Sequence, residues 1–197
     1  MSQSYVIRVS ASVSETVDAA DKRTKSLQLT EIVPCDEQAE ILRDELRDRG
    51  WEEVEGSEGQ VWEKTDGQVR QRIDLESMTH EAQVELQRTL ERERTITVRG
   101  DKDFEDPEER RGKEEASLQR AIAVTDEERD EVHQTMQREI AETLDESEEA
   151  RTEEVNEVIA AVYAESLKRK ARRMGSVTEM RESQEGGEFE LVIKLSE

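Results

Sequence analysis

Few residues in this chain have a type and spacing that could do chemistry. The two histidines, His80 and His133, lie 53 positions apart in different predicted elements, and general acid–base work needs titratable groups that converge. His80-Glu81 opens like the zinc-binding His-Glu-x-x-His helix motif, but Val84 stands where the second histidine is needed, so the metalloprotease reading fails. Both histidines are expected at the surface. Asp101, Asp103 and Glu105 imitate the odd-numbered ligands of a calcium loop, yet Asp106 replaces its glycine and Gly112 its twelfth-position glutamate, which excludes an EF-hand. Cys35 is the only cysteine; it can form neither an intrachain disulfide nor a cysteine zinc site, and a reactive role is not expected. No phosphate loop, dinucleotide fingerprint or Gly-x-Ser-x-Gly elbow occurs. The expectation is a protein that is not an enzyme and has no cofactor or metal.

The charge balance points elsewhere. With 29 Lys and Arg against 51 Asp and Glu, the net charge is −22, and affinity for nucleic acid or an anionic membrane is not expected. A basic protein surface is the natural partner. No run approaches the roughly 18 apolar residues of a membrane span, and the first residues lack a basic stretch followed by an apolar one, so a cytoplasmic location is expected. Leu, Ile, Val and Phe make up 40 of 197 residues, which predicts a thin core. The shortage is greatest in 101–157, where 22 acids face 8 bases.

The elements that must position these residues follow from periodicity. Tyr5, Ile7, Val9, Ala11 and Val13 alternate with polar residues and predict a strand. Leu27–Val33 is a shorter candidate strand. Ala39, Leu42 and Leu46 fall at helical spacing before Gly50, which predicts a short amphipathic helix. Trp51–Glu55, Val61–Thr65 and Gln68–Glu76 read as strands, the last two joined through Asp66-Gly67. Residues 78–90 fit a helix through Ala82, Leu86 and Leu90, or a strand whose one face is His80, Ala82, Val84 and Leu86. The strand is favoured, giving a meander over 61–99. Asp101 to Gly112 reads as a linker or poorly packed helix entry. Arg99-Gly100-Asp101 reads as a strand-ending turn rather than an adhesion tripeptide.

Thr125-Asp126-Glu127-Glu128 matches a capping box, and Val132, Met136, Ile140 and Leu144 form the stripe of the helix behind it. No large apolar residue stands between Leu144 and Val155, so the helix either crosses solvent there or folds into a helical hairpin. Val155, Val158, Ile159, Val162 and Leu167 give the next segment a broad packing face, ended by Gly175. Ser176–Glu182 and Glu188–Leu195, flanking Gly186-Gly187, predict a C-terminal hairpin.

Two charge features remain. Lys168-Arg169-Lys170 and Arg172-Arg173 sit at a predicted helix C-terminus, where cations offset the dipole. Glu127/Glu131, Glu142/Glu146, Asp145/Glu149, Glu149/Glu153 and Glu153/Glu157 place like charges four apart, which costs a helix a few tenths of a kcal/mol per pair. Such a face is either solvated or reserved for a basic partner.

Tyr163-Ala164-Glu165-Ser166-Leu167-Lys168-Arg169-Lys170-Ala171-Arg172-Arg173-Met174-Gly175, with the Glu188–Leu195 strand after it, resembles small accessory proteins associated with FtsH-type AAA+ ATPases in bacterial ternary conflict systems. The resemblance implies an accessory or adaptor role beside an ATPase and brings no catalytic residues.

The fold expected is α+β: a small mostly antiparallel sheet with one short helix, a long acidic helical arm, and a C-terminal helix plus β-hairpin packing back on the sheet. Its segments are a β-rich domain over 1–100, an acidic linker or short helix over 101–125, the helical arm over 126–175 and the hairpin over 176–197. The function expected is a non-enzymatic adaptor or assembly component of a larger complex, with an AAA+ ATPase as the candidate partner. The residues expected to carry partner binding are Glu127, Glu131, Glu142, Glu146, Glu149 and Glu153, with Val158, Ile159 and Val162 packing within the subunit or in a homo-oligomer. The alternative is an acidic inhibitor or nucleic-acid mimic that occupies a basic groove.

Overall fold

The computed structural model describes residues 4–101, 106–185 and 188–196, with the side chains of most residues in 176–196 left aside. Asp103 and Glu105 of the calcium-like run and the Gly186-Gly187 turn lie outside the described residues, as do the side chains of Phe189, Leu191 and Leu195. The elements, in chain order, are β1 (Ser4–Ser26), α1 (Cys35–Asp48), β2 (Glu52–Glu53), β3 (Val61–Asp66), β4 (Val69–Asp74), β5 (Thr79–Asp101), α2 (Pro107–Ile122), α3 (Asp126–Glu146), α4 (Glu148–Met174), β6 (Ser176–Glu185) and β7 (Glu188–Ser196). Five strands form a sheet in the order β1-β5-β4-β3-β2, and β6 and β7 pair antiparallel as a sheet of their own. The expected α+β class holds, and β6 with β7 makes the predicted C-terminal hairpin. The backbone divides into two compact units interleaved along the chain, one of residues up to 20 with 85–140, the other of 21–84 with 141 onward.

In the first unit, β1 and β5 run antiparallel. Ser10 and Thr95 hydroxyls meet across them at 2.9 Å, and Gln87 Nε2 donates to Asp18 at 2.8 Å. Odd-numbered residues of β1 face inward: Val9 and Ala11 are buried with Leu118 and Ile122 of α2, flanked by Ile7, Val13 and Ile96. Of the expected linker or short helix, residues 107–122 form a helix. Asp106 caps α2 by accepting from Glu108 N at 2.7 Å, and Pro107 occupies the first turn, where its missing N–H costs nothing. The predicted capping box forms in both directions, with Thr125 N donating to Glu128 at 3.0 Å and Glu128 N donating to Thr125 Oγ1 at 3.2 Å. Gly100 continues β5 to its penultimate residue, so the tripeptide around it lies in strand and not in a turn. A side chain at Gly100 would overlap the Tyr5 ring.

In the second unit, β3, β4 and the start of β5 form the expected meander. The register Asp66↔Val69 makes Gly67-Gln68 the two turn residues, one position later than the Asp66-Gly67 reading. Gly67 has φ +58°, a conformation open to glycine at the first turn position. Helix α1 ends in a Schellman motif: Gly50 has φ +80°, its N–H donates to Arg47 O, and Trp51 N–H donates to Leu46 O, both at 3.0 Å. This turn drives Trp51 into the core. There it packs with Val33, Ile41, Leu42, Leu46, Trp62, Ile73 and, from α4, Val158 and Val162.

Leu27–Val33 is a loop, not a strand. Leu27 N donates to Met78 O at 2.7 Å, and side chains take further backbone groups: Ile32 N donates to Gln38 Oε1 at 3.1 Å, Gln38 Nε2 donates to Thr30 O at 2.9 Å, and Thr30 N donates to Tyr163 Oη at 2.9 Å. Helices α3 and α4 form one long bent helix, neither a solvent-crossing arm nor a hairpin. At the bend Ser147 Oγ donates to Thr143 O at 2.7 Å, a back-bond that bends helices. Arg151 donates to Leu144 O at 2.6 Å and to Ser147 O at 3.2 Å, and its side chain is buried. It fills the stretch between Leu144 and Val155 that lacks an apolar residue.

Replacing Arg151 by Met keeps the apolar stem but removes those donors. We expect a loss of about 1–3 kcal/mol in unfolding free energy, read from the urea midpoint. A variant as stable as the parent would show that the bend needs no such support.

Candidate functional site

The candidate site is assembled in the second unit along α4 and the strand and loop residues beneath it. Apolar side chains set the helix's rotation. Val155, Val158 and Val162 are buried, and Ile159 is half-buried. The expected binding residues Val158 and Val162 therefore serve packing within the subunit and offer no open face. At about 100° per residue, Glu149 and Glu153 then lie roughly half a turn away from Val158.

The acidic residues of this stretch sort into two sets. One set meets bases from neighbouring elements: Glu148 with Lys25 at 2.7 Å, Glu154 with Lys64 at 2.5 Å, Glu157 with Arg49 at 2.7 Å and Asp145 with Arg23 at 3.4 Å. Lys25 holds the Glu148 carboxyl below its ordinary range through a hydrogen bond and its charge. The other set is Glu142, Glu146, Glu149 and Glu153, all exposed and making no ion pair among the described residues. In the first unit the same division recurs on α3. Arg92 donates to Glu128 at 2.6 Å, while Glu127 and Glu131 are exposed without a partner among the described residues. The Arg92 bond, joined by that from Thr125 N, holds Glu128 at about 2. The six glutamates expected to carry partner binding all belong to the unpaired set, whereas Asp145 and Glu157 of the like-charge series pair with Arg23 and Arg49.

The basic block at the end of α4 is engaged by its own chain. Arg173 donates to Glu37 at 2.6 Å, and Arg169 lies 3.6 Å from Glu37 and from Glu40. The acidic first turn of α1 thus meets the basic last turn of α4, an arrangement that suits both helix dipoles.

His80 departs from the surface position expected of it. It is 5% exposed on β5, 3.0 Å from Gln71 Oε1 through Nε2, and edge-on to Trp51 with ring centroids 6.2 Å apart. Gln71 Oε1 can only accept, so the neutral ring carries its proton on Nε2. Burial, reinforced by the positive charge of Arg151, lowers the His80 pKa to about 4. The ring borders a cavity of about 310 Å³ lined also by Lys25, Leu27, Thr152, Asn156 and Ile159. A second cavity of about 320 Å³, lined by Leu29, Ala39, Leu42, Leu75 and Met78, has exposed Cys35 at its edge. His133 is exposed on α3 in the other unit. Among the described residues no three of His, Cys, Asp and Glu are grouped so as to hold a metal ion. No helix among the described residues is long and apolar enough to cross a membrane.

An antiparallel sheet carrying a bent acidic helix, with its free carboxylates outward, defines an α+β component built around a charged surface. The family model of the FtsH ternary system domain X5 matches residues 1–196. The chain belongs to the FtsH ternary system domain X5 family, a component of an FtsH-linked system. The resemblance read in Tyr163–Gly175 and the Glu188–Leu195 strand therefore extends over residues 1–196. No curated protein and no solved structure matches it.

His80 makes stability pH-dependent with a defined sign. Its pKa is about 4 folded and 6.5 as the ordinary value, so between these the unfolded chain binds more protons and stability falls as pH falls. The gap between these two values corresponds to about 3 kcal/mol. His80→Gln, which can still bond Gln71, is expected to lose this component; equal pH slopes between pH 7 and 4 in urea unfolding would refute it.

Proposed function

We propose that this protein is a non-enzymatic adaptor or assembly component that docks a basic surface on its AAA+ ATPase partner through Glu142, Glu146, Glu149 and Glu153, with Glu127 and Glu131 as a second acidic patch. The observation that carries the reading is the sorting of the acids. Bases from β1, β3 and the end of α1 engage Asp145, Glu148, Glu154 and Glu157, and the intervening glutamates stay unpaired at a spacing that disfavours the helix. The cost is offset when a basic partner arrives. Membership of an FtsH-linked family supports the choice of an AAA+ ATPase, and cytoplasmic residence fits that partner.

The non-enzymatic reading is supported by how the titratable groups are used. His80 is bonded to Gln71 and packed edge-on against Trp51, and Lys25 beside it is paired with Glu148 and donates to Thr152. Lys25 donates to the Thr152 hydroxyl and so takes no proton from it, and His80 meets an amide instead of a nucleophile.

Changing Glu142, Glu146, Glu149 and Glu153 together to Gln tests the proposal. Binding to the ATPase of the same system, measured by calorimetry at two salt concentrations, should weaken by about tenfold or more and lose most of its salt dependence. Thermal stability should hold, since the four side chains are exposed and unpaired. Undiminished binding by a folded variant would refute the acidic docking face.

A further inference from the structure

The long outer edge of β1 carries no further strand among the described residues. β1 is the terminal strand of the five-stranded sheet, and among the described residues β5 is its one strand neighbour. Such edges are usually blunted with Lys, Pro or bulges. Residues 4–20 contain neither Lys nor Pro, and only Arg8, Glu15 and Asp18 are charged, in a chain of net charge −22.

The orientation of this edge follows from the side chains. Ser10 meets Thr95 at 2.9 Å and Thr16 meets Thr89 at 3.4 Å, the close approach of pairs that exchange no backbone bonds. The N–H and C=O groups of even-numbered residues therefore point away from β5. Gln119 Nε2 donates to Ser12 O at 3.3 Å, in keeping with that direction. The even side chains Val6, Arg8, Ser10, Ser12, Ser14, Thr16, Asp18 and Ala20 are all exposed, Val6 at 63%.

We propose that this edge pairs with the same edge of a second copy, antiparallel, about a two-fold axis at Val13. The sequence is self-complementary in that register. Arg8 meets Asp18 of the other copy, Ser10 meets Thr16, Ser12 meets Ser14, and exposed Val6 covers Ala20. Shifting by one residue on each chain opposes Val6 to Asp18 or Ser10 to Asp18, leaving Arg8 without its carboxylate. Arg8 has no partner among the described residues of its own chain, and Asp18 meets only the neutral amide of Gln87. The pairing forms about sixteen backbone hydrogen bonds, and the two symmetry-related bonds from Ser14 N–H of one copy to Ser12 O of the other replace the Gln119 bond in each. The interface is isologous, so each copy supplies both charges and the assembly closes as a dimer.

Sedimentation velocity on the full chain tests this with charge reversals that can rescue one another. The parent should sediment as a dimer, twice the 22.7 kDa of one chain. Arg8→Asp and Asp18→Arg each place like charges together twice, and each alone should weaken dimerisation about tenfold or more. An equimolar mixture should recover parental dimerisation. In the mixed dimer the introduced carboxylate faces the introduced guanidinium at one end, and the native pair of Arg8 with Asp18 re-forms at the other. A parent that stays monomeric at micromolar concentration overturns the proposal. Folded single variants that remain dimeric would place any self-association elsewhere, and a folded mixture that fails to recover would overturn the register.

Discussion

The apolar seam between α4 and α1 fixes everything that faces outward. Val158 and Val162 sit in one buried cluster with Ile41, Leu42, Leu46 and Trp62. A helix anchored at two positions four apart has no remaining rotational freedom, so its other side chains are assigned to a neighbour or to solvent. Glu154 and Glu157 fall where Lys64 and Arg49 can reach them; Glu149 and Glu153 do not. In a chain with so few aliphatic residues, the seam is thin and ion pairs along its border complete the contact. Each exposed pair adds little alone.

Much of this is legible in the sequence because it is local. The capping box at Thr125, the stop at Gly50, the meander over 61–99 and the stripe Met136, Ile140 and Leu144 each depend on residues a few positions apart. The six glutamates are legible for the same reason, since spacing of four on a helix is a local property. Which acids remain unpaired is not, because Lys25, Arg49 and Lys64 reach α4 only after the sheet has formed.

The places where expectation and structure part share a cause. His80 groups with Ala82 and Val84 on one strand face, and that face is buried; the alternation carries the answer, while the general habit of histidine points to the surface. Its burial rests on Gln71, a partner on the neighbouring strand. Leu27–Val33 has strand composition but meets Gln38 and Tyr163 instead of another strand. The apolar gap after Leu144 suggests a break, and a buried Arg151 closes it by bonding the carbonyls that the bend exposes. In every case a polar side chain outside the local pattern supplies what that pattern lacks.

The central claim is that the acidic helix is fixed to the body of its unit before any partner arrives, so that its outward carboxylates form a ready surface. Amide hydrogen exchange on the free chain tests this most directly. The account predicts that amides across 151–166 exchange as slowly as those of the buried face of α1, in keeping with one cooperative unit. Rapid exchange across 151–166 beside a protected α1 would contradict it.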